Sequence, residues 1–198
     1  MDRTRELDEL LVKMVANYVV GNGAARVLKA MLDEAGVGFL PVVDHVTLRT
    51  MDIDRRATQF VDLGYAYDET IEYDDWYAKV YRQTGYPALF VDQAYPDDRG
   101  KTSIIPGWVR KFGDQVFHHV AVRVEDIEKA IDRLKKKGVV FAGKIVGAPG
   151  GQLRQIFSAP EMVDSQPFSV LELAERHRGY LGFLPPQADS LMKSSAPR

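Results

Sequence analysis

The sequence predicts an α+β fold built from two βαβββ modules, with an N-terminal helical extension and a short C-terminal helix. Three observations carry that expectation. First, His45-Val-Thr-Leu-Arg49-Thr-Met-Asp52-Ile53 returns as His119-Val-Ala-Val-Arg123-Val-Glu-Asp126-Ile127, 74 positions further on, and an internal repeat of this kind marks a duplicated structural unit. Second, the same offset of 74 continues without a gap to Gly64 and Gly138. Third, each copy reads as strand, helix and glycine stop. Asp52 and Asp126 stand where an N-cap belongs, and the two glycines occupy the C-terminal punctuation position.

Taken in order, Leu7, Leu10, Leu11, Met14 and Tyr18 are spaced as one face of a helix over residues 3–20, and Gly21-Asn22-Gly23 breaks it. A second helix runs through Val27, Met31 and Leu32 towards Gly36. This extension covers residues 1–40, and the first module residues 41–93. Its strand from His45 and helix from Ile53 are followed by strands at 65–72, 76–82 and 87–93. Residues 94–116, with Pro96, Gly100, Pro106 and Gly107, read as a connecting loop. The second module spans 117–179, its helix marked by Ile127, Ala130, Ile131 and Leu134 at i, i+3, i+4, i+7. Its later strands fall at 139–142, 152–159 and 168–174. In the tail, 180–198, Pro185-Pro186 before Ala188, Leu191 and Met192 predicts a short terminal helix.

Composition narrows the function. The 198 residues contain no cysteine, which excludes a disulfide scaffold, thiolate zinc sites, iron–sulfur clusters and a cysteine nucleophile. With 26 basic and 28 acidic residues, the charge offers no case for nucleic acid or an anionic membrane as partner. The opening MDRTRELDELL lacks a signal-peptide apolar stretch, and no run reaches the roughly 18 apolar residues of a bilayer span. A cytoplasmic location is expected.

Strand alternation supplies the candidate chemistry. Val46 and Leu48 lie on one face of the first strand, and His45, Thr47 and Arg49 on the other. In the repeat, Val120, Val122 and Val124 oppose His119, Ala121 and Arg123. A sheet face with His and Arg in both copies is either exposed or lines a polar cavity. In Ser169-Val170-Leu171-Glu172-Leu173-Ala174, Leu171 and Leu173 take the helix side, so Glu172 points with the histidines. Two histidines and one carboxylate form a facial triad that leaves open positions on an iron(II)-type metal. A lone strand histidine is more often structural; equivalent histidines in a duplicated frame make a ligand pair the alternative. His118 faces the helix side and His177 lies beyond the last strand, which assigns both to structural or exposed positions.

At these residues the sequence resembles the vicinal oxygen chelate superfamily. His119–Ile127, then Leu153-Arg-Gln155-Ile-Phe157-Ser-Ala-Pro160, then Leu171-Glu172-Leu-Ala-Glu-Arg176 are similar to the C-terminal domain of 4-hydroxyphenylpyruvate dioxygenase. Asp44-His45-Val-Thr-Leu-Arg49-Thr is similar to the 2-oxoadipate dioxygenase/decarboxylase family. The resemblance implies a half-barrel metal site with His45, His119 and Glu172 as ligands. It further implies Arg49 as the grip on a substrate carboxylate, Gln155 as a pocket residue, and the tail around Ala188–Lys193 as a gating helix.

The function so implied is an Fe(II)-dependent dioxygenase that oxidatively decarboxylates a small 2-oxo acid with O2. Manganese, cobalt, nickel and zinc suit the same donors. Two alternatives stay open: a glyoxalase-like metal-dependent isomerase or lyase, and a metal-free small-ligand-binding protein of the same fold. The resemblance implies that glyoxalase-like chemistry wants a fourth ligand from the last strand of the first module, where Asp92 and Gln93 are the candidates. Repeat symmetry offers Arg123 as a second arginine to orient the substrate, with a structural role in the half-barrel as its alternative. Tyr73, Trp76, Tyr77 and Trp108 edge the pocket or a dimer contact, or, more readily, pack in a core or interface. Modules of this type pair within one chain or between two, so a homodimer is a further expectation.

Overall fold

The computed structural model describes residues 2–185 and 187, so the expected helix at Ala188–Lys193 lies outside the described residues. The chain divides into two compact units. One holds the residues up to Asn17 together with His45–His118, and the other holds Tyr18–Asp44 together with the chain from His119 onward.

The extension forms α1 (Arg3–Gly21) and α2 (Gly23–Glu34). Leu7, Leu11, Met14 and Tyr18 are all buried, as the helical spacing requires. Asn22 is more than a break. Its side chain accepts from the Ala25 N–H at 2.9 Å and donates to Ser169 Oγ at 3.1 Å, making it the N-cap of α2.

The first module is β1 (Val43–Arg49), α3 (Ile53–Val61), β2 (Ala66–Glu72), β3 (Trp76–Arg82) and β4 (Ala88–Ala94). Its strand order is β2-β3-β4-β1, with β1 and β4 parallel and the other neighbours antiparallel. The second module has β5 (Phe117–Val124), α5 (Ile127–Lys136), β6 (Phe141–Val146), β7 (Leu153–Ser158) and β9 (Gln166–Arg176). Its order, β6-β7-β9-β5 with β5 and β9 parallel, repeats the first. A short β8 (Glu161–Val163) pairs with β9 through a turn at Asp164 and Ser165, both at positive φ. Among the described residues no helix is long and apolar enough to cross a membrane.

Both modules use one construction. Asp52 accepts from the Arg55 N–H at 3.1 Å, and Asp126 from the Lys129 N–H at 2.9 Å. A side chain from the last strand adds a second cap: Gln93 Oε1 takes the Ile53 N–H at 2.8 Å, and Glu175 Oε2 takes the Ile127 N–H at 2.7 Å. At the other end, the Tyr65 N–H reaches Phe60 O past Gly64, and the Val139 N–H reaches Leu134 O past Gly138, both at 3.0 Å. The glycines sit at φ 114° and 91°, where a Cβ would be strained. Asp52→Ala is expected to destabilise the protein by about 1 kcal/mol in urea unfolding, with an unchanged denaturant slope.

The segment 94–116, expected as a connecting loop, carries a 3-10 turn (Asp98–Thr102) and α4 (Ile105–Phe112). Pro106 falls in the first turn of α4, where its missing N–H costs nothing, while Ile105 and Trp108 are buried. Proline there starts a helix rather than marking a loop.

Candidate metal centre

In the second unit, β5 and β9 bring two donors together. Their register sets Glu172 beside Ala121, two residues from His119 on the same strand face. His119 Nε2 lies 3.2 Å from Glu172 Oε2. Gln155, from β7, donates its side-chain N–H to the other oxygen, Oε1. One carboxylate oxygen is thereby fixed by the protein while the second is turned to the imidazole. Phe157 flanks His119, ring centroids 5.1 Å apart. Glu172 is 1% exposed, so its charge has been taken out of water and depends on these partners.

In the first unit, His45, Thr47 and Arg49 share a face of β1 and are buried. On β1 the face is therefore interior, whereas in the second copy the Arg123 side chain is 53% exposed. Arg49 pairs in the sheet with Asp92 of β4. Its Nε lies 3.6 Å from Asp92 Oδ2, both side chains 2% exposed, and its guanidinium carbon lies 5.5 Å from the Trp108 ring centroid. Burial pulls Arg49 down to about 10, so it stays charged at neutral pH, and pushes Asp92 up to about 7 against the opposing pull of Arg49 and His45.

The same register decides the fourth-ligand question. Glu172 pairs with the residue two after His119; the residue two after His45 is Thr47, and it pairs with Phe90. Phe90 therefore holds the position in the first module that Glu172 holds in the second. Neither expected alternative stands there. Gln93 caps α3 from the opposite strand face, and Asp92 lies one pleat further on, beside Arg49.

The histidine–arginine spacing read from the two repeats extends to the strand that carries Glu172. His45, His119 and Glu172 are each followed, four residues on and on the same strand face, by an arginine: Arg49, Arg123 and Arg176. Two of these converge on buried Asp44. Arg176 grips it with Nε to Oδ1 and Nη2 to Oδ2, both at 2.8 Å, and Arg123 Nη2 adds 2.9 Å. Arg176 also donates to Gly182 O at 2.7 Å. Arg123 is thus a structural partner of Asp44. The aromatic candidates pack internally: Trp76 stacks on Tyr73 at 3.8 Å, and Trp108 meets His118 edge-on at 5.7 Å. His177 bonds to Glu175 at 2.5 Å.

Among the described residues, His45, His119 and Glu172 form a set that could hold a divalent ion. The donor chemistry fits: two neutral imidazoles and a carboxylate suit a first-row metal, and a carboxylate already oriented by a second partner is how ligands are held in register.

The family model for the glyoxalase/bleomycin resistance protein/dioxygenase superfamily matches residues 44–157. The chain belongs to that superfamily. None of the curated protein sequences matches it significantly. Among solved structures, a Shewanella frigidimarina protein provisionally described as a hydrolase aligns at 18% identity and TM-score 0.75, covering 90% of this chain and 97% of that one. Hydroxyglutarate synthase from Oryza sativa, in complex with 2-oxoadipate, aligns at 16% identity and TM-score 0.74, with 98% and 93% covered. A mutant 4-hydroxymandelate synthase from Streptomyces coelicolor gives 16% and 0.59, with 80% and 55% covered. At such identities the likeness is one of fold.

Proposed function

We propose that this superfamily member is an iron(II)-dependent dioxygenase that oxidatively decarboxylates a small 2-oxo acid, with His45, His119 and Glu172 as ligands. Phe90 carries the reading. A four-ligand Lewis-acid site of the glyoxalase kind would need a donor where Phe90 stands, whereas three protein ligands leave room for a chelating acid and for oxygen. Bound there, iron(II) would supply the redox chemistry by which oxygen and an organic acid react.

The remaining work falls to the chain itself. Gln155 holds one oxygen of Glu172, which leaves the other beside His119. Arg49 offers a fork suited to a carboxylate at the far end of the substrate. Like His45 and Glu172, it is buried. Phe157, an apolar neighbour of His119, keeps bulk water from that side of the reacting end. The 2-oxoadipate bound by the rice protein makes that compound the first probe.

Oxygen-electrode traces of the Fe(II)-loaded protein with a panel of 2-oxo acids test the reading. Substrate-dependent uptake with matching CO2 release is expected; isomerisation without uptake would support a glyoxalase-like enzyme instead. Gln155→Leu is expected to weaken metal binding about 10–100-fold in chelator competition. Arg49→Lys keeps the charge but loses the fork, so KM should rise about tenfold with metal content unchanged.

A further inference from the structure

Of the three arginines that follow the candidate ligands, Arg123 and Arg176 share one carboxylate in short hydrogen bonds, including a two-pronged grip at 2.8 Å. Arg49 has a carboxylate beside it that is held loosely. The Asp92 contact is a single 3.6 Å approach, longer than a hydrogen bond, and Asp92 Oδ1 is buried and accepts no hydrogen bond among the described residues. The fold does not require an acid at this place. In the second module the same sheet position, opposite Arg123, is Ala174.

We propose that Asp92 is an exchangeable counter-ion: a substrate carboxylate takes over the Arg49 guanidinium, and Asp92 is left as the neutral acid. This rests on the reading of Arg49 as the substrate grip, and adds to it that binding a dicarboxylic 2-oxo acid takes up one proton from solvent. The proton balances the second negative charge brought beside the buried Arg49 guanidinium.

The surroundings favour that outcome. Arg49 and His45 are the titratable groups bearing on Asp92 from β1. From β3 the facing residue is Ala78, and from α4 the packed residue is Trp108, with Arg110 and Lys111 exposed. Charges on α3 and the 3-10 turn are met elsewhere: Arg55 by Asp114, Asp54 by Lys79, Arg99 by Asp97 and Lys101 by Asp98, while Arg56 donates to Gln59. Burial already holds Asp92 above the usual carboxylate range, and an anion arriving at Arg49 raises it further.

Isothermal titration of the Mn(II)-loaded protein with 2-oxoadipate at pH 8, in two buffers of different ionisation enthalpy, counts the protons. Uptake approaching one per site is expected, with the Kd rising towards tenfold per pH unit on the alkaline side of the Asp92 titration and levelling on the acid side. The monocarboxylate 2-oxohexanoate should bind without uptake, and Asp92→Asn should abolish both the uptake and the pH dependence. Should that variant fail to fold, the two-buffer count on the parent protein still decides. Tight 2-oxoadipate binding with no proton uptake, or equal uptake with 2-oxohexanoate, overturns the exchange and leaves the dioxygenase reading standing. A metal-loaded protein that binds no 2-oxo acid overturns that reading and the exchange with it.

Discussion

Phe90→Glu is expected to abolish oxygen-dependent turnover, by about two orders of magnitude or more, while the protein keeps its metal. The substitution places in β4 the residue type that β9 carries at the same register, Glu172 beside Ala121 against Phe90 beside Thr47. A fourth donor would occupy a position that the proposed chemistry needs open. Without metal the new carboxylate is buried beside apolar neighbours, so the apoprotein should be less stable and metal should restore more stability than in the parent. Phe90→Leu is the control: it keeps an apolar side chain, loses about 1 kcal/mol of packing, and should retain turnover within a few-fold. Unaltered turnover in the glutamate variant, measured with stoichiometric metal, would remove the argument for three ligands.

Glu172→Ala and His119→Ala are each expected to lower metal affinity by at least about 100-fold in competition against a chelator, with secondary structure unchanged by circular dichroism. The alanine at 172 also strands the Gln155 N–H, a buried donor, at a cost of about 1–3 kcal/mol. Glu172→Gln separates the two effects, since it preserves the shape while removing the charge the metal needs. His118→Ala, from the neighbouring position on the helix side of the same strand, should leave metal affinity within a few-fold. Retention of metal by Glu172→Ala would exclude this residue as a ligand.

Much of this was legible because the chain was duplicated. The offset between His45 and His119 places two strands, two caps and two glycine stops together, and parity puts Glu172 on the histidine face. What escaped was information that lies in register. Single-strand parity makes Asp92 a plausible ligand, but only the pairing of Thr47 with Phe90 shows which residue stands in the ligand row. Gln93 and Glu175 escaped for the same reason, since a cap delivered from a neighbouring strand has no local signature. The α4 helix hid behind Pro106 and Gly107, and Asn22 read as part of a breaker although its side chain caps α2. The recurring arginine four residues after each candidate ligand was visible throughout, yet its division into a shared Asp44 clamp and a loose Asp92 pair depends on tertiary contacts.

The central claim is that oxygen is a reactant, and isotope labelling tests it most directly. The Fe(II)-loaded protein is turned over with 2-oxoadipate under 18O2 in ordinary water, and product and gas phase are analysed by mass spectrometry. The account predicts one CO2 released per O2 consumed and 18O in the shortened acid. An isomerised or hydrolysed product carrying no label, formed equally well without oxygen, would contradict it.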